Sequence, residues 1–238
     1  MNNNEDLSFL KVTEQSPNLE KQFEQMARTL FQEFGITNRY GKRYTLVDIE
    51  FYFLSLWHQD FFTYGRDEQQ NFGVWLKHPS GMDLAFGDRD QGNYGGILLR
   101  GIREVDGKQE FRNGPLTVRN ILSQMNHTVT SKTLNESIRL YRKGKTKDKL
   151  VLVSGRVGLT PKSFDEHFKR IIKSHSEDNK INTSSHQNYI NRKYRFITEI
   201  CPDNKFKEKE RVARTSVYAG ICTADDIFQH YGYKVPKL

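Results

Sequence analysis

Residues 81–104, GMDLAFGDRDQGNYGGILLRGIRE, carry the pattern that decides the fold. An apolar run at 82–86 and a second one at 96–102 flank a loop, 87–95, that is rich in Gly, Asp and Asn. This is the pattern of a β-hairpin. The second run is continuously apolar until Arg100, as in a strand buried on both faces. Because guanidinium groups are almost never buried unpaired, we expect an acidic side chain to face Arg100.

The best candidate for that partner is Glu50, in the run LVDIEFYF at 46–53. This run is rich in β-branched and aromatic residues, and strand alternation places Asp48 and Glu50 on one face. Each ion must lose its hydration when it is buried, so two carboxylates and an arginine on neighbouring strands are costly. Two interpretations stay open: a functional site, or a buried structural ion pair.

Composition indicates a soluble globular protein that is long enough to bury a full core. The length fits one large domain or two small ones, and we favour a single domain, 1–238. Lys plus Arg outnumber Asp plus Glu by 37 to 29, for a net charge of +8. Such a balance favours polyanionic partners, nucleic acid before membrane. We expect no membrane association and a monomer.

The two cysteines, Cys201 and Cys222, match neither a disulfide-stapled small domain nor a paired metal motif. No apolar run is long enough to cross a membrane, and the first residues have no secretory pattern. The expected location is therefore the cytoplasm.

Periodicity predicts an α+β fold, a curved and mainly antiparallel sheet flanked by helices, because the strands do not alternate regularly with helices. The first helix is predicted over 10–34, with Gly35 as its C-cap, and another begins at Gly114-Pro115. The predicted helices are 10–34, 115–125 and 162–173, and the predicted strands are 46–53, 72–77, 82–86, 96–102, 150–153 and 194–200. A polar loop is expected over 174–187, and helices on the outside over 199–238.

Familiar catalytic signatures are absent: the sequence has no phosphate-binding glycine loop, no HExxH and no GxSxG. The seven histidines lack metal-ligand spacing, so we expect neither a metal nor a cofactor. His58, within an aromatic cluster, is read either as a core residue or as part of a site.

Several segments together resemble the alkyladenine (3-methyladenine) DNA glycosylase family. They lie in the family's order over residues 40–198, which would form a glycosylase-like core with 199–238 as a helical extension. The matching segments are LVDIEFY at 46–52, Gly81-Met82 followed by ILLR at 97–100, Gly114-Pro115-Leu116, RVGL at 156–159 and KYRF at 193–196.

The resemblance implies roles for individual residues. Glu50 would activate water and Arg100 would help to hold that water, while Tyr52 and His58 would form opposite walls of a base pocket. It also implies double-stranded DNA as the partner, with the reacting nucleotide flipped out of the helix. Apart from the resemblance, the basic turn with Arg39, Lys42 and Arg43 is interpreted either as a phosphate contact or as an ordinary solvated turn, and Arg156 is a further candidate DNA contact.

The sequence departs from the family at three pocket positions, which are occupied here by Lys77, Ser80 and Gly87. These residues predict a wider and more polar pocket. The predicted substrate is therefore a hypermodified base, such as a hydroxymethylated or glycosylated pyrimidine of phage DNA, as well as or instead of an alkylated purine.

The leading functional hypothesis is a monofunctional DNA glycosylase that leaves an abasic site, in base-excision repair or in defence against phage. The alternative is a non-catalytic nucleic-acid-binding module on the same fold, with Glu50 and Arg100 as a structural ion pair.

Overall fold

A computed structural model describes residues 6–13, 18–123, 134–135, 137–144, 149–160, 162, 189–200 and 208–236. Across these ranges the fold is α+β, with a curled antiparallel sheet and helices packed against it, as the sequence predicts. The strands are β1 (Phe34–Thr37), β2 (Arg43–Leu54), β3 (Trp75–His78), β4 (Gly81–Ala85), β5 (Tyr94–Glu104), β6 (Phe111–Asn113), β7 (Arg139–Arg142), β8 (Leu152–Ser154) and β9 (Arg195–Ile197). The helices are α1 (Leu19–Glu33), α2 (Pro115–Ser123), α3 (Lys209–Tyr218) and α4 (Ala224–Tyr231).

The two long strands β2 and β5 form the centre of the sheet, paired from Tyr44↔Glu104 to Leu54↔Tyr94. Each has two shorter strands along its outer edge. Strands β1 and β9 pair with successive parts of β2, and β6 and β4 pair with successive parts of β5. The predicted hairpin of 81–104 is confirmed as β4 and β5, and the predicted strand at 46–53 is confirmed within β2.

The pairing of β2 with β5 is irregular at one place. Leu46 pairs with Ile102, Asp48 with Gly101 and Ile49 with Leu99. One residue of each strand, Val47 and Arg100, is therefore skipped. Such bulges re-aim side chains and are frequent beside functional sites.

Helix α1 packs its apolar face onto the central strands. The Phe23 ring stacks on Phe51 at a centroid distance of 4.6 Å and meets Phe86 edge-on at 5.9 Å. Together with the inward residues of β2, β4 and β5, these rings form the main core.

The predicted bounds of α1 are wrong at both ends. The helix begins at Leu19, not at residue 10, and a short 3₁₀ turn, Ser8–Leu10, precedes it. Gly35 is not a C-cap, because β1 begins at Phe34 and pairs with β7. A Cβ atom on Gly35 would lie 2.5 Å from the ring of Tyr141, so glycine permits this close strand contact.

The other predicted elements agree in type and differ in length. The predicted strand at 72–77 is found as β3, from Trp75, and the one at 194–200 as β9. Helix α2 begins at Pro115, as predicted from Gly114-Pro115. Apart from Lys162, the helix predicted over 162–173 and the polar loop predicted over 174–187 lie outside the described residues.

The C-terminal helices α3 and α4 pack beside β8 and β9 around a second core cluster, which includes Leu152, Ile197, Val212 and Ile227. Ser216 of α3 ties the helix to β8, since its hydroxyl donates to Val153 O at 3.1 Å and accepts from Val153 N at 2.9 Å. No helix in the described part of the chain combines the length and the apolar surface that a bilayer crossing requires.

Candidate active site

Four charged side chains meet on one face of the central sheet: Asp48 and Glu50 from β2, Arg100 from β5 and Arg195 from β9. Arg195 donates two hydrogen bonds to Asp48, from Nε to Oδ1 at 3.0 Å and from a terminal nitrogen to Oδ2 at 2.7 Å. Burial alone would lower the pKa of Arg195, but the charge and hydrogen bonds of Asp48 raise it above its ordinary value. A third carboxylate, the partly exposed Glu208, also accepts a hydrogen bond from Arg195.

Glu50 has no exposed surface and is contacted from several sides. Its Oε1 accepts a hydrogen bond from the backbone N–H of Val157 at 2.8 Å, and its Oε2 accepts one from the Tyr52 hydroxyl at 2.9 Å. Arg100 Nε lies 3.3 Å from Oε1, so the predicted pairing of Glu50 with Arg100 is confirmed. Within the described residues this buried Nε has no acceptor in hydrogen-bonding geometry, but a terminal nitrogen of Arg100 donates to Glu50 Oε2 at 3.5 Å.

Tyr52 stays protonated beside this carboxylate. Burial, with a smaller contribution from the negative charge of Glu50, raises the pKa of Tyr52 well above its ordinary value. The phenol is thus a fixed donor to Glu50.

A cavity of about 240 Å³ opens on the same face. Its walls combine three aromatic rings with several polar groups, and Tyr52 and Arg100 both line it while touching Glu50 behind them. The lining residues are Tyr52, Phe62, Tyr64, Gln69, His78, Ser80, Asp83, Leu98, Arg100, Pro115, Val157, Gly158 and Leu159.

The strand register fixes the width of the cavity floor. Leu98 of β5 pairs with Glu50 of β2 on one side and with Asp83 of β4 on the other. Paired residues project from the same face of a sheet, and neighbouring strands lie about 4.8 Å apart, so the backbones at Glu50 and Asp83 are about 10 Å apart. Asp83 and Leu98 therefore line the cavity, and Glu50 lies on the other side of Leu98, behind the lining.

Asp83 belongs to a hydrogen-bonded group opposite Glu50. Its Oδ1 lies 3.0 Å from His78 Nε2, and its Oδ2 accepts from Gln69 Nε2 at 3.2 Å. Gly96 makes room for this group, because a Cβ there would lie 2.6 Å from Gln69 Nε2 and 2.7 Å from Asp83 Oδ2. Sequence analysis missed His78, Asp83 and Gln69. One signal was visible in the sequence, because Asp83 follows His78 by five residues across the turn that joins β3 to β4.

Arg156 supports the site from beneath and cannot contact DNA from this position. Its side chain is fully buried, donates to both oxygens of Asp60 at 2.6 and 3.1 Å, and also donates to Phe51 O and Tyr189 O. Its guanidinium lies 4.5 Å from the centre of the Tyr52 ring. The prediction that Arg156 is a phosphate contact is therefore wrong, and its buried partner Asp60 was missed.

His58 is a core residue, not a wall of the cavity. It is packed between Phe53 and Tyr189, and Tyr194 Oη lies 3.4 Å from its Nε2. Burial lowers the pKa of His58 to about 4, so the imidazole is neutral at physiological pH. Of the two interpretations of this histidine, the structure supports the core residue.

Two of the three predicted pocket substitutions also fall outside the cavity lining. Lys77 precedes His78 on β3, and adjacent strand residues point to opposite faces, so the cavity position belongs to His78. Gly87 lies at the base of the hairpin, where a Cβ would be 2.2 Å from Gln69 O. Only Ser80 lines the cavity, as predicted.

The basic turn before β2 lies far from the cavity. Arg43 begins β2, seven residues before Glu50, which corresponds to about 23 Å along a strand. Arg43 is paired with Asp106 and Lys42 with Glu104, while the Arg39 guanidinium lies 4.7 Å from the Tyr40 ring centre. Nearer the cavity, the exposed Arg66 stacks on the lining residue Tyr64 at 4.9 Å.

Comparison with known proteins adds no relative: no protein-family model matches this sequence, and no curated protein matches it.

Proposed function

We propose that the protein is a monofunctional DNA glycosylase, an enzyme that hydrolyses the N-glycosidic bond of a base flipped out of double-stranded DNA. The observation that carries this proposal is the buried Glu50, held by Arg100 directly behind an aromatic-lined cavity. A carboxylate in this setting is the group that such a reaction needs.

The chemistry requires a water next to the carboxylate. The water oxygen bonds to the anomeric carbon of the sugar, the electrons of the broken C–N bond leave with the base, and Glu50 accepts the proton of the water. The ionised Glu50 also stabilises the positive charge that develops on the sugar. Tyr52, Arg100 and Val157 line the cavity and contact Glu50, which supports a water bound beside this carboxylate on the cavity side.

The cavity supplies the binding surface for the flipped base. Tyr52, Phe62 and Tyr64 offer aromatic faces, and stacking on such faces contributes about 1–3 kcal/mol per base. This offsets the few kcal/mol that base flipping costs. The net charge of +8 and the rim residue Arg66 favour contact with phosphates regardless of sequence.

The size of the cavity bears on the substrate. A volume of about 240 Å³ lies below the range of about 300–1,000 Å³ that is usual for sites of drug-sized ligands. With Lys77 and Gly87 outside the lining, the reasons for a widened pocket are reduced to Ser80. We therefore favour a modified base without an attached sugar, and the base that is released would decide between repair and phage defence.

The test is base release followed by strand cleavage. Modified duplex DNA is incubated with the protein and heated in alkali, which breaks the strand at abasic sites. Breaks should appear with the wild type and vanish with Glu50→Gln, while DNA affinity persists. Glu24→Gln is a matched control, because Glu24 is paired with Arg28 on the outside of α1. Breaks at wild-type level with Glu50→Gln would refute the mechanism.

A second candidate is a non-catalytic nucleic-acid-binding module on the same fold. It is favoured by one observation: both oxygens of Glu50 are hydrogen-bonded and the residue has no exposed surface. In that case DNA affinity would fall steeply with salt, and alkali would reveal no breaks with any variant.

A further inference from the structure

His78 is placed to contact whatever enters the cavity. It lies at the end of β3, across the cavity floor from Glu50, and its side chain is 4% exposed. One ring nitrogen, Nε2, is 3.0 Å from Asp83 Oδ1. The other, Nδ1, is buried and has no hydrogen-bond partner among the described residues.

Its surroundings fix the tautomer of this imidazole. Asp83 already accepts a hydrogen bond from Gln69 at Oδ2, and an ionised carboxylate only accepts, so the proton between His78 and Asp83 belongs to Nε2. In the neutral ring Nδ1 then carries a lone pair. In that form Nδ1 is a buried acceptor on a residue that lines the cavity.

The position of the ring is also fixed. The Tyr64 ring packs on it at a centroid distance of 4.8 Å, and Arg119 donates to the carbonyls of His78 and Pro79 at 3.1 and 3.2 Å. A rigid acceptor discriminates between ligands more strongly than a mobile one, because it cannot turn away to find another donor.

We propose that His78 Nδ1 reads the edge of the flipped base by accepting a hydrogen bond from an exocyclic amino group. The inference rests on the proposed function and names its substrate class: bases that carry an amino donor, such as adenine or cytosine derivatives. About 10 Å separates the backbones at Asp83 and Glu50, which leaves room for one base between the His78 side of the cavity and the side behind which Glu50 lies. A ligand without the donor leaves a buried acceptor unsatisfied and binds less well.

The experiment measures binding in the Glu50→Gln background, where no base is released. The probes are two duplexes with a single test base opposite an abasic analogue: adenine in one, and purine, which is adenine without its amino group, in the other. At about pH 8, where an ordinary imidazole is neutral, the adenine duplex should bind about three- to tenfold more tightly.

Variants assign this preference to His78. His78→Phe should reduce the ratio of the two affinities to about one, and His78→Asn, whose amide oxygen lies near the position of Nδ1, should restore part of it. His230→Phe changes an exposed histidine of α4 and should leave the ratio unaltered. An equal affinity of the parent protein for both duplexes, or a preference that survives in His78→Phe, would overturn the proposal.

A direct measurement covers the case in which His78→Phe does not fold. In full-length protein with ¹⁵N-labelled histidine, the Nδ1 resonance of His78 should shift with the adenine duplex and not with the purine duplex. Equal shifts with both would overturn the inference. These outcomes are independent of catalysis: base release without the preference leaves the proposed function standing, and the preference without base release refutes the proposed function alone.

Discussion

Removal of Asp60 tests whether the buried Arg156–Asp60 pair holds the site together. Both side chains are fully buried, and Arg156 donates to both carboxylate oxygens. Asp60→Ala leaves a buried guanidinium without its counter-ion, a defect that costs about 3–5 kcal/mol. In a domain of this length, that corresponds to a fall in Tm of about 6–20 °C.

A matched pair on the surface provides the control. Arg43 also donates to both oxygens of an aspartate, Asp106, at 3.1 and 2.6 Å, but about half of each of these side chains is exposed. Asp106→Ala should leave the free energy of unfolding nearly unchanged, because solvent already screens this pair. The assay is urea unfolding of both variants, monitored by circular dichroism, which gives the free energy of unfolding of each. Equal effects of the two substitutions would refute the structural role assigned to Asp60.

Three further predictions concern the site, pH and DNA binding. Gly96→Ala would put a Cβ 2.6 Å from Gln69 Nε2, so it should lower both Tm and the rate of base release. Gly144→Ala is the control, because a Cβ there has no atom within 4 Å and should change neither quantity. Thermal unfolding measures the first effect and the alkali assay the second. Since burial lowers the pKa of His58 to about 4, the unfolded chain binds its proton first, and stability should fall by about 1.4 kcal/mol per pH unit from about pH 6.5 down to about pH 4. His58→Phe should flatten the stability profile in that window, and an unchanged profile would contradict the assignment. As candidate phosphate contacts, the exposed Arg39 and Lys42 should each lower the slope of log affinity against log salt by about one when replaced by Gln, as measured by fluorescence anisotropy; an unchanged slope would remove them from the DNA interface.

The Glu50–Arg100 pair was predictable because a charge within an apolar strand requires a partner, and the run 46–53, with Asp48 and Glu50 on one face, was the best candidate. The second arginine of the cluster, Arg195, could not be predicted in the same way. Arg195 comes from a three-residue strand 145 positions further along the chain, and only the observed pairing of β9 with β2 places it beside Asp48.

The errors have identifiable physical causes. Lys77 was predicted in the pocket where His78 lies, because a shift of one residue exchanges the two faces of a strand. Arg156 was predicted as a phosphate contact, but it is buried, and Asp60, the partner that permits its burial, is 96 residues away in the sequence. Gly35 was predicted as a C-cap because the apolar helical pattern continues unbroken to Phe34. The helix nevertheless ends at Glu33, and the backbone of Phe34 is already extended.

The most direct test of the central claim is mass spectrometry of free bases released in a single turnover. The wild type is incubated with alkylated DNA and with hypermodified phage DNA, beside Glu50→Gln. The account predicts release of a modified base bearing an amino group by the wild type, and a rate about 10²–10⁴-fold lower for Glu50→Gln. No free base from either DNA, or equal release by both proteins, would contradict it.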